Sequence, residues 1–209
     1  MPLIKEWNPG NYGLAAIWEV TEPESFFTES TGMVSDIKHE KRRLERLAGR
    51  HLLKHLQEDF PLHGIAPDVH DKPRIDADKY FFSISHSWPY VAVMVDPEDE
   101  AGIDIQTWHR NILGIQHKFL NDEEQEMFEN DEQLVTLAWC AKEAAYKWLG
   151  RRGVDFIEHM PITYFNKKNL SMTIYARGRA IPMMVSVFGE ITEHYACAYV
   201  TGAEEWAIY

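Results

Sequence analysis

Cysteine is nearly missing from this sequence: Cys140 and Cys197 are the only two, and neither stands in a Cys-x-x-Cys pair or a Cys/His ligand spacing. That excludes a disulfide framework, and two small buried thiols suit a reducing cytoplasm. No apolar run approaches the ~18 residues that would suggest a membrane-spanning helix. The opening Met-Pro-Leu-Ile-Lys-Glu-Trp lacks the basic-then-apolar pattern of a signal peptide, so a cytoplasmic protein is expected. Basic residues are scarce as well. With 21 Lys and Arg against 33 Asp and Glu, the formal charge is −12, which argues against nucleic acid as the main partner. Low-complexity segments and long linkers are also lacking. What remains is a globular composition, 45% hydrophobic and 12% aromatic over 209 residues, enough for one large domain or two small ones.

The charge is unevenly spread. Residues 38–54 hold seven bases against Glu40 and Glu45, a local +5 that leaves the remainder near −17. A basic helix on an acidic chain points to a compact anionic ligand rather than a long polyanion. Leu44, Leu47, Ala48, Leu52 and Leu56 give that helix an apolar face, with Ser35 or Asp36 as its cap and its end near Phe60-Pro61. His51 and His55 are four apart on it, but with no carboxylate ligand beside them in sequence they are not read as a metal site. A strand is expected over 14–20, a loop and short helix over 21–36, and a Pro- and Asp-containing connection over 61–79. Three strands follow at 80–85, 90–95 and 102–106, and their short connections predict an antiparallel meander. Asn121 or Asp122 caps a short acidic helix at 123–128. Strands are expected again at 162–165, 171–175, 183–188 and 194–200, with turns at 167–169, Gly178 and Gly189. The order helix then β-meander occurs over 40–106 and again over 122–201, which suggests two similar halves with a cleft between them.

The chemistry gathers in Trp139-Cys140-Ala141-Lys142-Glu143-Ala144-Ala145-Tyr146-Lys147 and in Gly102-Ile103-Asp104-Ile105-Gln106. Helical spacing puts Trp139, Glu143 and Lys147 in one row, while Leu134, Leu137, Ala138, Ala141, Ala145 and Trp148 form a buried stripe opposite. In the pentapeptide, Ile103 and Ile105 share one strand face, Asp104 and Gln106 the other. A carboxylate inside an apolar strand is costly to bury without a cation or donor nearby. Asp104 and Glu143 are therefore expected to converge on Mg²⁺, a hard ion that takes oxygen ligands and keeps several waters. Lys142 and Lys147 beside it suggest a phosphate as the ion's other partner. The competing reading of Glu143 and Lys147 is an ordinary surface i,i+4 pair worth about 0.3 kcal/mol.

Four ordered blocks carry a resemblance: Lys72-Pro73, Phe82-Ser83-Ile84-Ser85-His86-Ser87, Gly102-Ile103-Asp104, and Trp139-x-x-Lys142-Glu143-x-x-x-Lys147. Together they resemble the signature of the 4′-phosphopantetheinyl transferases, in the surfactin-synthetase-activating branch. The resemblance implies an α+β fold of two halves related by a pseudo-twofold axis, with residues 1–100 on the 3′-phosphate side of coenzyme A and 101–209 carrying the metal site and the docking surface. It implies a Mg²⁺-dependent enzyme that transfers the phosphopantetheine arm of coenzyme A to a serine of an acyl or peptidyl carrier protein, releasing adenosine 3′,5′-bisphosphate. Two fused halves suit a monomer.

On that resemblance Asp104 and Glu143 hold Mg²⁺, Lys147 contacts the phosphates, and Lys142 lies along the pantetheine arm or on the same pyrophosphate. Glu124 falls on the family's acid and would act as general base toward the serine, with Glu123 as the alternative; acids in a helix's first turn are also favoured by its dipole. Lys72, Ser85 and His86, with Arg46 and Arg42 or Arg50, would bind the 3′-phosphate. Gln106 stands where many relatives carry Glu; its amide oxygen can ligate the metal or hold a bound water but brings no charge. Carrier-protein docking is expected through apolar side chains near Trp108 to Phe119, Ile112 and Leu113 among them, with Arg110, Lys118 and His117. Two other functions fit parts of the pattern: a Mg²⁺-dependent hydrolase or transferase on another nucleotide pyrophosphate, which leaves Ser85-His86 without a role, and a non-catalytic coenzyme A-binding relative.

Overall fold

The computed structural model describes residues 2–10, 12–75, 79–108, 111–177 and 181–205. The chain is a mixed α/β protein of helices and antiparallel sheets, divided into two compact units, Met1–Ala101 and Gly102–Tyr209.

In the first unit, strands β1 (Leu3–Trp7), β2 (Leu14–Glu19), β5 (Phe81–Ser87) and β6 (Tyr90–Asp96) form a four-stranded sheet in the order β1-β2-β6-β5. Two further strands, β3 (Ile65–Pro67) and β4 (Pro73–Ile75), pair as a separate hairpin. Helices α1 (Glu24–Thr31) and α2 (Glu40–Leu56) complete the unit. The five apolar residues expected on α2 are all buried, in one cluster with Val91, Val93 and Val95 of β6. Neither Ser35 nor Asp36 caps α2: the N-cap is His39, which makes no side-chain cap bond, and the helix stops at Leu56. This corrects the expected cap and shortens the expected helix.

The basic residues of α2 divide by what they touch. Arg43 pairs with Glu24 at 2.8 Å, and Lys54 donates to the Ser30 carbonyl at 2.7 Å, so these two clamp α1. Arg42 and Arg46 are exposed.

The second unit holds β7 (Ile103–Thr107), β8 (Ile162–Asn166), β9 (Ser171–Ala176), β10 (Met183–Ile191) and β11 (Tyr195–Glu205) in the order β7-β11-β10-β9-β8. Helices α3 (Ile112–Ile115), α4 (Asp122–Met127) and α5 (Glu132–Leu149) accompany this sheet. The expected three-strand meander is therefore corrected. Strands β5 and β6 form a hairpin, but β7 pairs with β11, with Asp104 opposite Ala198 and Gln106 opposite Ala196. The other edge of β6 is already taken by β2, from Leu14 opposite Val95 to Glu19 opposite Tyr90.

Gly102 makes the β7 placement possible. A Cβ there would collide with the Ala144 carbonyl oxygen and come within 2.8 Å of the Trp148 Cβ, so only glycine allows β7 to start this close to α5. All six residues of the apolar stripe expected on α5 are buried. The expected turn at Gly178 lies outside the described residues. Among the described residues no helix is long and apolar enough to cross a membrane.

Candidate functional site

Strand β7 and helix α5 bring together four of the expected residues, all in the second unit. Asp104 is only 2% exposed. Its Oδ1 accepts from the Lys147 ammonium at 2.6 Å and its Oδ2 from the Gln106 amide at 2.9 Å. Lys147 also donates to the Ile103 carbonyl at 3.1 Å, which fastens the last turns of α5 to β7.

Glu143, one turn before Lys147 on α5, completes the group. Burial and then the charge of Asp104 push its carboxyl up to about 7, against the opposing pull of Lys147. Two carboxylates thus repel one another across a site that contains one ammonium and one neutral amide. Behind them the Cys140 thiol is buried, donates to the Ala196 carbonyl at 3.5 Å, and is kept protonated by burial and by the negative charge of Asp104.

Among the described residues, no group of three or more His, Cys, Asp or Glu is arranged to hold a metal ion. Asp104 and Glu143 do form a mutually repelling pair of oxygen donors, with the Gln106 side chain bonded to one of them. That donor set, all oxygen and short of positive charge, fits a hard divalent cation and not a soft one.

Glu124 and Lys142 are brought together elsewhere in the same unit. The capping box at the start of α4 uses one oxygen of Glu124: Asn121 Oδ1 accepts from the Glu124 amide at 2.8 Å, and Glu124 Oε2 accepts from the Asn121 amide at 2.8 Å. The other oxygen, Oε1, accepts from the Ile162 amide at 2.7 Å and from Lys142 at 2.6 Å. Lys142 is 0% exposed and donates further to the carbonyls of Phe119 at 2.7 Å and Phe156 at 2.9 Å. Its three donors are all taken inside the protein. The acid expected to be a base and the lysine expected on a substrate are both enclosed.

In the first unit, the residues expected around a phosphate have protein partners. Lys72 pairs with Glu100 at 2.6 Å, and Arg74 grips the same carboxylate with both terminal nitrogens at 2.8 and 2.6 Å. His86 Nδ1 lies 3.2 Å from Glu45 of α2, which joins the ring to the basic helix. Ser85 beside it is buried. Arg50 lies on the inner side of the same helix; burial and the charge of Arg46 lower it to about 10, and its Nε finds no hydrogen-bond partner. Glu100 and Glu45 were not anticipated. They sit 28 residues from Lys72 and 41 from His86, separations at which local spacing carries no signal.

In the stretch expected to dock a partner, Ile112 and Phe119 are core residues, 5% and 1% exposed, while Leu113 is 38% exposed. Lys118 and His117 are exposed, Trp108 donates to the Glu193 carbonyl at 2.8 Å, and Arg110 lies outside the described residues.

No curated protein matches this chain. Residues 100–200, just under half the chain, match the family model of the 4′-phosphopantetheinyl transferase superfamily; they contain Asp104, Gln106, Glu124, Lys142, Glu143 and Lys147, and the match supports that superfamily for this chain.

Proposed function

We propose that this protein transfers the 4′-phosphopantetheine arm of coenzyme A to a serine of an apo acyl or peptidyl carrier protein. The observation that carries the reading is the meeting of Asp104, Glu143 and Lys147 at β7 and α5, inside the family-matched region. The surfactin-synthetase-activating branch rests on the upstream blocks at residues 72–73 and 82–87, which lie outside the matched residues.

The serine hydroxyl oxygen attacks the phosphorus that bears pantetheine, and the bridging P–O bond breaks. Its electron pair leaves with adenosine 3′,5′-bisphosphate, and the hydroxyl proton goes to a nearby acceptor. Asp104 and Glu143, with the Gln106 amide, would hold Mg²⁺, which when bound neutralises charge on the diphosphate. Ligation of Asp104 would release Lys147 from its present ion pair and leave that ammonium for a phosphate oxygen, where a mobile point charge suffices. The proton acceptor needs an accessible lone pair. Glu123, exposed on the first turn of α4, meets that need better than Glu124, whose oxygens are already engaged.

In the first unit, the exposed Arg46 and Arg42, with Arg50, His86, Ser85 and Lys72, form the proposed 3′-phosphate subsite. Lys72 would exchange the Glu100 carboxylate for phosphate, a dianion that pairs more strongly with an ammonium. The pseudo-twofold relation of the halves, the cleft, the monomeric state and the cytoplasmic location belong to the same reading.

The test is intact-mass analysis of a panel of apo carrier proteins incubated with coenzyme A and Mg²⁺. A gain of one phosphopantetheine arm on the acceptor serine is expected. Hydrolysis of coenzyme A with no carrier modified would overturn the reading.

A further inference from the structure

The buried pair Glu124–Lys142 has no access to solvent, and its hydrogen-bonding capacity is used up inside the protein. Lys142 has three N–H donors and three protein acceptors, at 2.6, 2.7 and 2.9 Å. Those acceptors come from three separate segments: Phe119 before α4, Glu124 in its first turn, and Phe156 in the loop after α5. Glu124 adds a fourth by holding the Ile162 amide at the start of β8.

The side chains of two of these tethered residues meet on one object. The Phe119 ring lies 4.9 Å from Trp139 and the Phe156 ring 5.6 Å from Trp139, while Phe156 also packs on Tyr146 at 5.8 Å. Trp139 sits one turn before Glu143, and Tyr146 directly before Lys147. The ammonium therefore fixes the backbone of both segments whose rings line the face of α5 that carries the reactive row. Glu143 and Lys147 themselves do not depend on it: α5 is anchored by its apolar stripe, and Lys147 is tied directly to β7.

We infer that Glu124 and Lys142 are a positioning pair, which holds the Phe119–Trp139–Phe156 wall beside Glu143 and takes no part in proton transfer or phosphate binding. This rests on the proposed transferase reading for what the wall faces, namely the part of a substrate next to the transferred phosphorus.

The experiment compares wild type with Glu124→Gln in steady-state transfer, varying coenzyme A and carrier protein in turn. Gln keeps the size and the shared acceptor oxygen, but it sets an NH₂ against the Asn121 amide and removes the charge opposite Lys142. A positioning role gives a severalfold rise in KM for at least one substrate, kcat within about fivefold of wild type, and a lower Tm. A fall in kcat of a hundredfold or more, with KM and Tm unchanged, would make Glu124 the base and overturn the inference. Should Glu124→Gln not fold, the double variant Glu124→Gln with Lys142→Met, which removes both buried charges, reads the same split. Hydrogen exchange separates this inference from the transferase reading. If wild type modifies no carrier, the transferase reading fails, and the tether is still read as faster amide exchange around residues 117–120 and 155–158 in the variant. Unchanged exchange there would overturn the inference by itself.

Discussion

Glu143 carries a raised carboxyl in the proposed metal site, and the sign of its effect on stability is fixed by the direction of the shift. Its ordinary value is near 4.5, and in the folded protein burial and Asp104 raise it to about 7. Between those two values the unfolded chain releases a proton that the folded chain keeps, so this group lowers stability as pH rises through that window and changes nothing further above it. Glu143→Gln should therefore unfold at the same urea concentration as wild type near pH 4. It should be more stable by about 1–2 kcal/mol at pH 8 in chelator. Urea titrations at the two pH values check this, and an equal gap at both would remove the repulsion from the account. The same variant should lose transfer almost completely at saturating Mg²⁺, because an amide supplies no charge to the metal.

Gln106 tests the site from the other side. Its amide donates to Asp104 at 2.9 Å and so steadies that carboxylate without adding charge. Gln106→Glu should lower Tm in chelator by setting a third carboxylate beside Asp104 and Glu143, and should tighten Mg²⁺ binding several-fold by calorimetry. A Tm unchanged by the substitution in chelator would mean that position 106 does not sense the other two charges.

At the scale of elements, much of the second unit is legible from pattern alone. The α5 stripe, the acidic capped α4 and the four strands after residue 160 follow from periods of 3.6 and 2 and from turn chemistry. Other elements carried too little signal. The β3 and β4 strands are three residues each, too short for an alternation to register, and β1 is a five-residue edge strand after which Asn8-Pro9-Gly10 reads as loop. Membership of β7 in the second sheet could not be read either, because pairing depends on which edges are free, a property of the assembled sheet.

The site divides the same way. Asp104 and Glu143 show themselves as acids in apolar elements, whereas the confinement of Lys142 is invisible in a Lys-Glu dipeptide. Two of its three acceptors, at Phe119 and Phe156, are backbone carbonyls of residues whose side chains say nothing about them.

Two substitutions test the elements that carry the site. Gly102→Ala would drive a methyl into the Ala144 carbonyl and the Trp148 Cβ, where the obstacle is helix backbone that cannot step aside. It should cost more than about 2 kcal/mol in chemical denaturation, and a near-neutral result would show that β7 and α5 can part. Asn121→Ala removes the side-chain half of the α4 capping box and should cost about 1 kcal/mol.

For the whole molecule the distribution of charge matters more than its total. A chain at −12 repels anionic ligands in general, yet α2 presents Arg42 and Arg46 to solvent with no acid paired to either among the described residues, while Arg43 and Lys54 clamp α1. An anion held there should feel these few cations at close range, and salt should weaken it. Arg46→Ala is exposed enough to leave Tm unchanged. It should weaken coenzyme A by about tenfold while leaving dephospho-coenzyme A, which lacks the 3′-phosphate, nearly untouched. Calorimetric titration of both ligands decides it, and equal losses would remove Arg46 from the subsite.

The three-way grip of Lys142 also bears on how the second unit comes apart. An ammonium stripped of water tolerates neither one missing acceptor nor two, so intermediate arrangements in which only Phe119 or only Phe156 has let go lie high in free energy. Residues 119 to 156 are thereby coupled into a single cooperative block, whose ends are released together or not at all.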